Sequence, residues 1–396
     1  MSRAVGGLGG GAALAPPRYK TGRHGGGPPT PAPTVNHVHY KIAQIGGDGI
    51  GPEVLDEAVR VLEATQGGGL RFSFEAAEVG AALYRRTGED LPRETVDLCR
   101  AVDAILFGAA GLPDIRHADG TELTPQITLR MVLDLYAGMR PVKLYPGVPS
   151  PLRLPADRRI DYVIFRENTE GLFASLGGGS KVGEELAVDT LVITRKGTER
   201  VVRRAFETAR VRGHGAPADG VTRVTCVDKA NVFRSYAFFR QVFQETACAY
   251  PDVRTDFAYV DAMSMYVVQA PWRYDVIVLE NMFGDILSDL GAATVGGLGL
   301  APSGDVGDRY ALFQPCHGSA PDIAGKGVAN PIAAILSAAL LCRWLGLQHR
   351  DPAVTAAADR IDRAVARALT DPRAHTRDIG GSASTRECAD AVIAAL

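Results

Sequence analysis

The amino-acid sequence predicts an α/β protein of mostly parallel sheets flanked by helices, and three observations predict it. First, Tyr40–Ile45 alternates, turns apolar and runs into GGDGIGPE at Gly46–Glu53. Beyond Pro52, which suits a first helical turn, Val54, Ala58, Val61 and Leu62 recur at helical spacing. Strand, glycine turn and helix make one α/β unit. Second, further strands are predicted at Ala104–Phe107, Tyr162–Phe165, Val221–Val227, Phe257–Val260 and Val276–Leu279, each closing on glycine or a charged residue. Third, helical patterns lie between and beyond these runs, at Glu199–Arg210, from Ile332 and at Pro352–Leu369. Gly47, Gly49 and Gly51 alternate, which is not the GxGxxG spacing of a dinucleotide fingerprint, and their plain reading is a tight turn without a ligand.

At 396 residues the chain is longer than one core usually grows, so two domains, or one with a large insertion, are expected. A net charge of -2 gives no general reason to expect nucleic acid or an anionic membrane surface as a partner. Six cysteines without a CxxC pair read as reduced, intracellular thiols, and a cytoplasmic location is expected. The longest apolar stretch, Ile332–Cys342, is short for a membrane span and reads as a buried helix. Residues 1–36 hold fifteen Gly or Pro and no acid, which predicts a disordered leader. Its basic residues raise an organellar transit peptide as the weaker alternative to a nonessential leader or a mis-assigned start.

Along the chain, the run QITLRMVLDLYAGMRP predicts a helix with Leu129, Val132, Leu133 and Tyr136 on its apolar face and Arg130 and Arg140 at its two ends. Paired arginine forks suit carboxylates, although two surface arginines on an amphipathic helix are the plainer reading. Arg166 follows the strand at Tyr162–Phe165, at the kind of strand end where ligands collect in open α/β sheets. Leu172–Gly179 reads as a loop and Leu186–Arg195 as part of a protruding hairpin. Lys229 and Asp261 follow two more predicted strands. In NMFGDILSD, Asp285 and Asp289 are four residues apart; if they open a helix they share one face. Two carboxylates so close repel unless a hard cation such as Mg²⁺ or Mn²⁺ lies between them; the alternative is acids decorating a helix N-terminus. Five such residues at strand ends point to a site for a metal, an anionic substrate and one lysine. Pro315–Pro331, PCHGSAPDIAGKGVANP, is too long for a casual turn and reads as a functional loop; His317 in it is a ligand, a base or a plain loop histidine.

Seven ordered motifs, from about Lys41 to the end, carry a resemblance. GDGIGPEV at Gly47–Val54, LRMVLDLYAGMRP at Leu129–Pro141, RENTEG at Arg166–Gly171, DKANV at Asp228–Val232, YVDAM at Tyr259–Met263, NMFGDILSD at Asn281–Asp289 and HGSAPDIAGKGVANP at His317–Pro331 resemble the β-decarboxylating dehydrogenases of the isocitrate/isopropylmalate dehydrogenase family. The resemblance implies a two-domain isopropylmalate dehydrogenase-like fold that is not a Rossmann fold. It implies a larger, cofactor-binding domain from residues 37–135 plus 296–396 and a smaller one from 136–295, through which two subunits pair and share each site. Carried over, Arg130, Arg140 and Arg166 would bind substrate carboxylates, with Gln126, Ile127 and Phe173 beside them. Asp285 and Asp289, with Asp261 of a second subunit, would hold the metal, and Lys229 of that subunit would be the proton-transfer lysine. His317, Gly318, Ser319, Ala320, Pro321, Asp322, Ile323 and Asn330 would form the cofactor loop. A carboxylate at Asp322 accepts from ribose hydroxyls and repels a 2′-phosphate, which favours NAD over NADP. The implied reaction is NAD- and metal-dependent oxidative decarboxylation of a 2-hydroxy diacid or triacid carrying a β-carboxylate, of 3-isopropylmalate, tartrate or D-malate type.

Three departures qualify this. Phe173 stands where relatives commonly carry a proton-donating tyrosine, Gln314 where many have glutamate, and Gly120–Thr128, with Thr124 and Gln126 beside Ile127, is longer and more polar than the leucine surface an isopropyl group calls for. Phe173 motivates an alternative, dehydrogenation without decarboxylation. A non-catalytic regulatory subunit is a second alternative, but such subunits tend to lose the metal or lysine positions, which this chain retains.

Overall fold

The computed structural model describes residues 38–118, 120–176 and 178–396; the expected disordered leader lies outside them. Twelve strands are present among these residues: β1 Val38–Gly47, β2 Leu70–Ala77, β3 Ala104–Ala109, β4 Ala137–Lys143, β5 Asp161–Glu167, β6 Ser180–Val182, β7 Leu186–Val188, β8 Arg223–Asp228, β9 Arg254–Tyr259, β10 Val276–Leu279, β11 Pro302–Val306 and β12 Ala311–Pro315. Ten of them form one sheet in the order β2-β1-β3-β12-β11-β4-β5-β10-β8-β9. The flanking sets are parallel, and antiparallel pairings of β12 with β11, β11 with β4 and β4 with β5 join them. This is neither the order nor the all-parallel pairing of a dinucleotide-binding sheet. β6 and β7 form a separate, exposed hairpin where a protruding one was expected.

Among the described residues eleven α-helices flank the strands: α1 Gly51–Thr65, α2 Ala81–Thr87, α3 Arg93–Ala101, α4 Pro125–Val132, α5 Arg195–Arg212, α6 Arg234–Ala247, α7 Val260–Gln269, α8 Asn281–Thr294, α9 Ile332–His349, α10 Pro352–Ala368 and α11 Thr385–Ala394. One core joins β1, β3 and β12 to α1, α9 and α10, while two others sit on either face of β5, β8 and β10 under α5–α8. α9 runs to 18 residues, longer than its apolar stretch suggested, and by length and composition alone it is long enough to cross a bilayer. Here it is the buried centre of the first core.

The glycine turn is structural. Gly47 and Gly49 have φ of 73° and 59°, and a Cβ on Gly49 would lie 1.9 Å from the Ser319 carbonyl. Asp48 between them accepts from the backbone N–H groups of Ala81, Ala82 and Gly111 at 2.7, 2.8 and 2.8 Å. The turn therefore clamps neighbouring loops together.

The expected helix through Arg130 and Arg140 is a correction. α4 ends at Val132, Val132 is 43% exposed, and Asp134 takes φ of 51°, a left-handed turn that stops the helix. Arg140 lies on β4, the strand that follows. The apolar periodicity carried on past the turn because both elements bury one face.

Candidate active site

Three arginines converge on one cleft from three elements. Arg130 comes from α4, Arg140 from the middle of β4 and Arg166 from the penultimate position of β5. They are only 5%, 5% and 2% exposed. Guanidiniums this buried need anions or acceptors nearby. Arg130 donates from Nε to Asp305 on β11 at 2.8 Å, and Arg140 from Nη1 to the Cys316 sulfur at 2.9 Å. Arg166 donates from Nε and Nη2 to Asn281 Oδ1 at 2.9 and 2.7 Å, and from Nη1 to Asp285. Burial, then Arg130 nearby, pulls the Arg166 guanidinium down to about 10, so it stays charged at neutral pH. The ring of Phe173 lies 5.3 Å from its guanidinium carbon, a cation–π contact.

Gly284 makes room for this arginine. A Cβ there would sit 2.6 Å from both Cβ and Cγ of Arg166. Gly284→Ala is therefore expected to destabilise the fold by about 1–3 kcal/mol through overpacking and to raise KM for the substrate. Urea unfolding and steady-state kinetics check the two effects.

Asp285 and Asp289 sit on one face of α8, as their spacing predicts, but they do not open the helix. Glu280 caps it, accepting from the N–H groups of Met282 and Phe283 at 3.1 and 2.8 Å. With the dipole answered there, the two aspartates a turn and more inside the helix have no capping role. Burial, then the Asp285 charge, pushes the Asp289 carboxyl above its ordinary range. Two like charges facing a cleft are favoured by a cation between them. Among the described residues no group of three or more His, Cys, Asp or Glu side chains could hold a metal ion. One chain thus offers two carboxylates.

The cleft encloses about 210 Å³, and the three arginines, both aspartates and Phe173 line it. Gln126, Ile127, Gln314, Cys316, His317 and Gly318 also line it. Lys229 and Asp261 are elsewhere. They form an ion pair with each other, just after β8 and in the first turn of α7, and do not line the cleft. That hydrogen bond from Lys229 holds the Asp261 carboxyl below its usual range. Five residues at strand ends therefore split into two sets within one chain.

The loop from His317 borders the cleft. His317 hydrogen-bonds through Nδ1 to the Gly318 carbonyl at 2.9 Å, and burial lowers its pKa. Ser319 fastens the loop, its carbonyl accepting from Ile50 N–H at 2.7 Å and its hydroxyl donating to the Gly111 carbonyl. Ala320 has φ of 37°, Pro321 and Asp322 are exposed, and Ile323 packs against the core. Asn330 spends both ends of its amide within the chain, donating to Asp378 and accepting from Ile332 N–H, each at 3.0 Å. Asp305, Asn168, Asn281 and Glu280 were not anticipated from the sequence. The only signal was polarity inside runs that otherwise read as buried.

A profile of the isocitrate/isopropylmalate dehydrogenase family matches residues 41–392. The chain belongs to that family. It is thus a dehydrogenase acting on the CH–OH group of a small hydroxy acid. It is 46% identical over 358 residues to the 3-isopropylmalate/3-methylmalate dehydrogenase of Methanocaldococcus jannaschii, covering 89% of this chain and 98% of that one. It is 44% identical over 364 residues to the 3-isopropylmalate dehydrogenase of Corynebacterium efficiens, covering 90% and 99%. Among solved structures it resembles isocitrate dehydrogenase from Methylococcus capsulatus, with a TM-score of 0.78, 38% identity and coverage of 90% and 99%. A β-decarboxylating dehydrogenase from Thermococcus kodakarensis gives a TM-score of 0.72 at 41% identity, covering 90% and 96%.

Proposed function

We propose that this dehydrogenase carries out NAD- and Mg²⁺- or Mn²⁺-dependent oxidative decarboxylation of a 2-hydroxy diacid with a β-carboxylate, of 3-isopropylmalate, tartrate or D-malate type. The observation that carries the reading is one cleft lined by three buried arginines and by the aspartates Asp285 and Asp289, four residues apart on one helix face. Arg130, Arg140 and Arg166 bind and orient the carboxylates, since their forks match planar anions. Their charges are offset by Asp305 behind the cleft wall and by Asp285 and Asp289 in it, so a divalent ion would leave the site with the complement of a dicarboxylate. This favours a diacid over a triacid.

Asp285 and Asp289 would hold the metal, with a third carboxylate from Asp261 of a second copy of the chain, since among the described residues the cleft of one chain is lined by these two. A metal held there would lower the pKa of a ligated hydroxyl and offset developing oxyanion charge. Lys229 of that second copy, as a neutral amine released from its ion pair with Asp261, would take the hydroxyl proton on Nζ as hydride passes from the substrate carbon to the nicotinamide of NAD⁺. The reading therefore includes a homodimer.

Asp322 is exposed at the loop and would accept hydrogen bonds from the adenine ribose. Asp322→Arg is expected to raise KM for NAD⁺ roughly ten- to hundredfold, the loss of charged hydrogen bonds, and to lower KM for NADP⁺. Kinetics with both nucleotides check it.

Phe173 supports one second reading. Its ring lies over Arg166 and has no proton to give, so an oxo acid could be released without decarboxylation. A panel of D- and L-malate, the tartrates, isopropylmalate, isocitrate and homoisocitrate, with CO₂ measured against NADH, tests both. CO₂ equal to NADH removes the second reading; NADH without CO₂ removes the first.

A further inference from the structure

We infer that Asp305 is a positioning residue that aims Arg130 at the substrate, and that in this chain it supplies the negative charge which Gln314 lacks. The inference rests on the reading that Arg130 binds a substrate carboxylate. Asp305 is fully buried on β11, and its two oxygens face two different elements. Oδ2 accepts from Arg130 Nε at 2.8 Å, and Oδ1 from Asn168 Nδ2 at 2.8 Å. Asn168 is itself fixed, 1% exposed and donating also to the Leu135 carbonyl at 3.3 Å. The carboxylate thus joins α4 to the residue just beyond β5.

Holding Arg130 by Nε alone leaves both Nη groups without a hydrogen bond to described residues, in a side chain that lines the cleft. That is the geometry of a fork held from behind and offered forwards. The Gln314 amide approaches Asp305 Oδ2 at 3.4 Å, so position 314 is next to the same point of the cleft wall. A carboxylate at either position would face Arg130. In this chain position 314 is neutral, and the charge rests at 305.

The test compares Asp305→Asn, Asp305→Asn with Gln314→Glu, and Arg130→Ala, using kcat and KM for the preferred diacid and KM for NAD⁺, with unfolding curves for each. Asp305→Asn is expected to raise substrate KM about 10–100-fold, a usual effect of losing an outer partner of a binding group, with kcat changed much less. The double variant, which moves the charge back across 3.4 Å, is expected to recover most of that loss. If Asp305→Asn does not fold, a double variant that folds with near-native substrate KM still supports the inference. Unchanged substrate KM in folded Asp305→Asn overturns it, as does a double variant whose KM stays as high as the single's or that fails to fold. Arg130→Ala separates the two levels. Unchanged substrate KM there sinks the reading of Arg130 itself, whereas a raised KM there beside an unchanged one in Asp305→Asn sinks only the role of Asp305.

Discussion

Asp285→Asn is expected to lower kcat/KM about 10³-fold, the equivalent of several kcal/mol of transition-state charge stabilisation, while leaving the fold intact. The amide keeps the shape and still accepts from Arg166, so the buried guanidinium retains a partner. What is lost is half of the negative pair on α8. The alternative role, a plain ion partner for Arg166, predicts a different signature. In that case the loss would not depend on metal concentration, whereas a metal site weakened by one charge should regain part of its activity at high Mn²⁺. A Mn²⁺ titration of wild type and variant, with matched unfolding curves, distinguishes the two.

Lys229→Met is expected to cost about 10²–10⁴-fold in kcat, the range for removing a general acid–base group. Lys229 is held by Asp261 outside the cleft of its own chain, so on the proposed reading it acts in the cleft of a second copy. This yields a sharper expectation than the single loss. Mixing Lys229→Met with Asp285→Asn should restore activity, because each mixed dimer carries one site with both residues intact and one with both lost. Random mixing makes about half the dimers mixed, so recovery approaches roughly a quarter of wild type. No recovery would contradict a site shared between subunits.

The α/β class was legible because glycine turns and strand-length apolar runs are local signals, and β10 at Val276–Leu279 matches its sequence reading residue for residue. The run through Arg130 and Arg140 was not. One apolar period crossed a left-handed turn at Asp134, and only the fold shows that a helix gives way there to a strand. The aspartate pair was legible from its spacing, but its meaning was not. Glu280 as the cap decides against helix decoration, and a cap is visible only once the helix start is known. Asp305 and Asn168 escaped notice for a physical reason as well. Their partners are 175 and 137 residues away in the chain, and no local pattern marks such a pair. Lys229 and Asp261 were correctly placed at strand ends, yet strand ends alone do not say which ones share a cleft.

The most direct test of the proposed activity is the stoichiometry of CO₂ and NADH released by the purified protein from 2-hydroxy diacids with NAD⁺ and Mn²⁺. The account predicts equal amounts from at least one diacid, with turnover lost when Mn²⁺ is chelated and regained when it is returned. No NADH from any diacid, or turnover untouched by chelation, would contradict it.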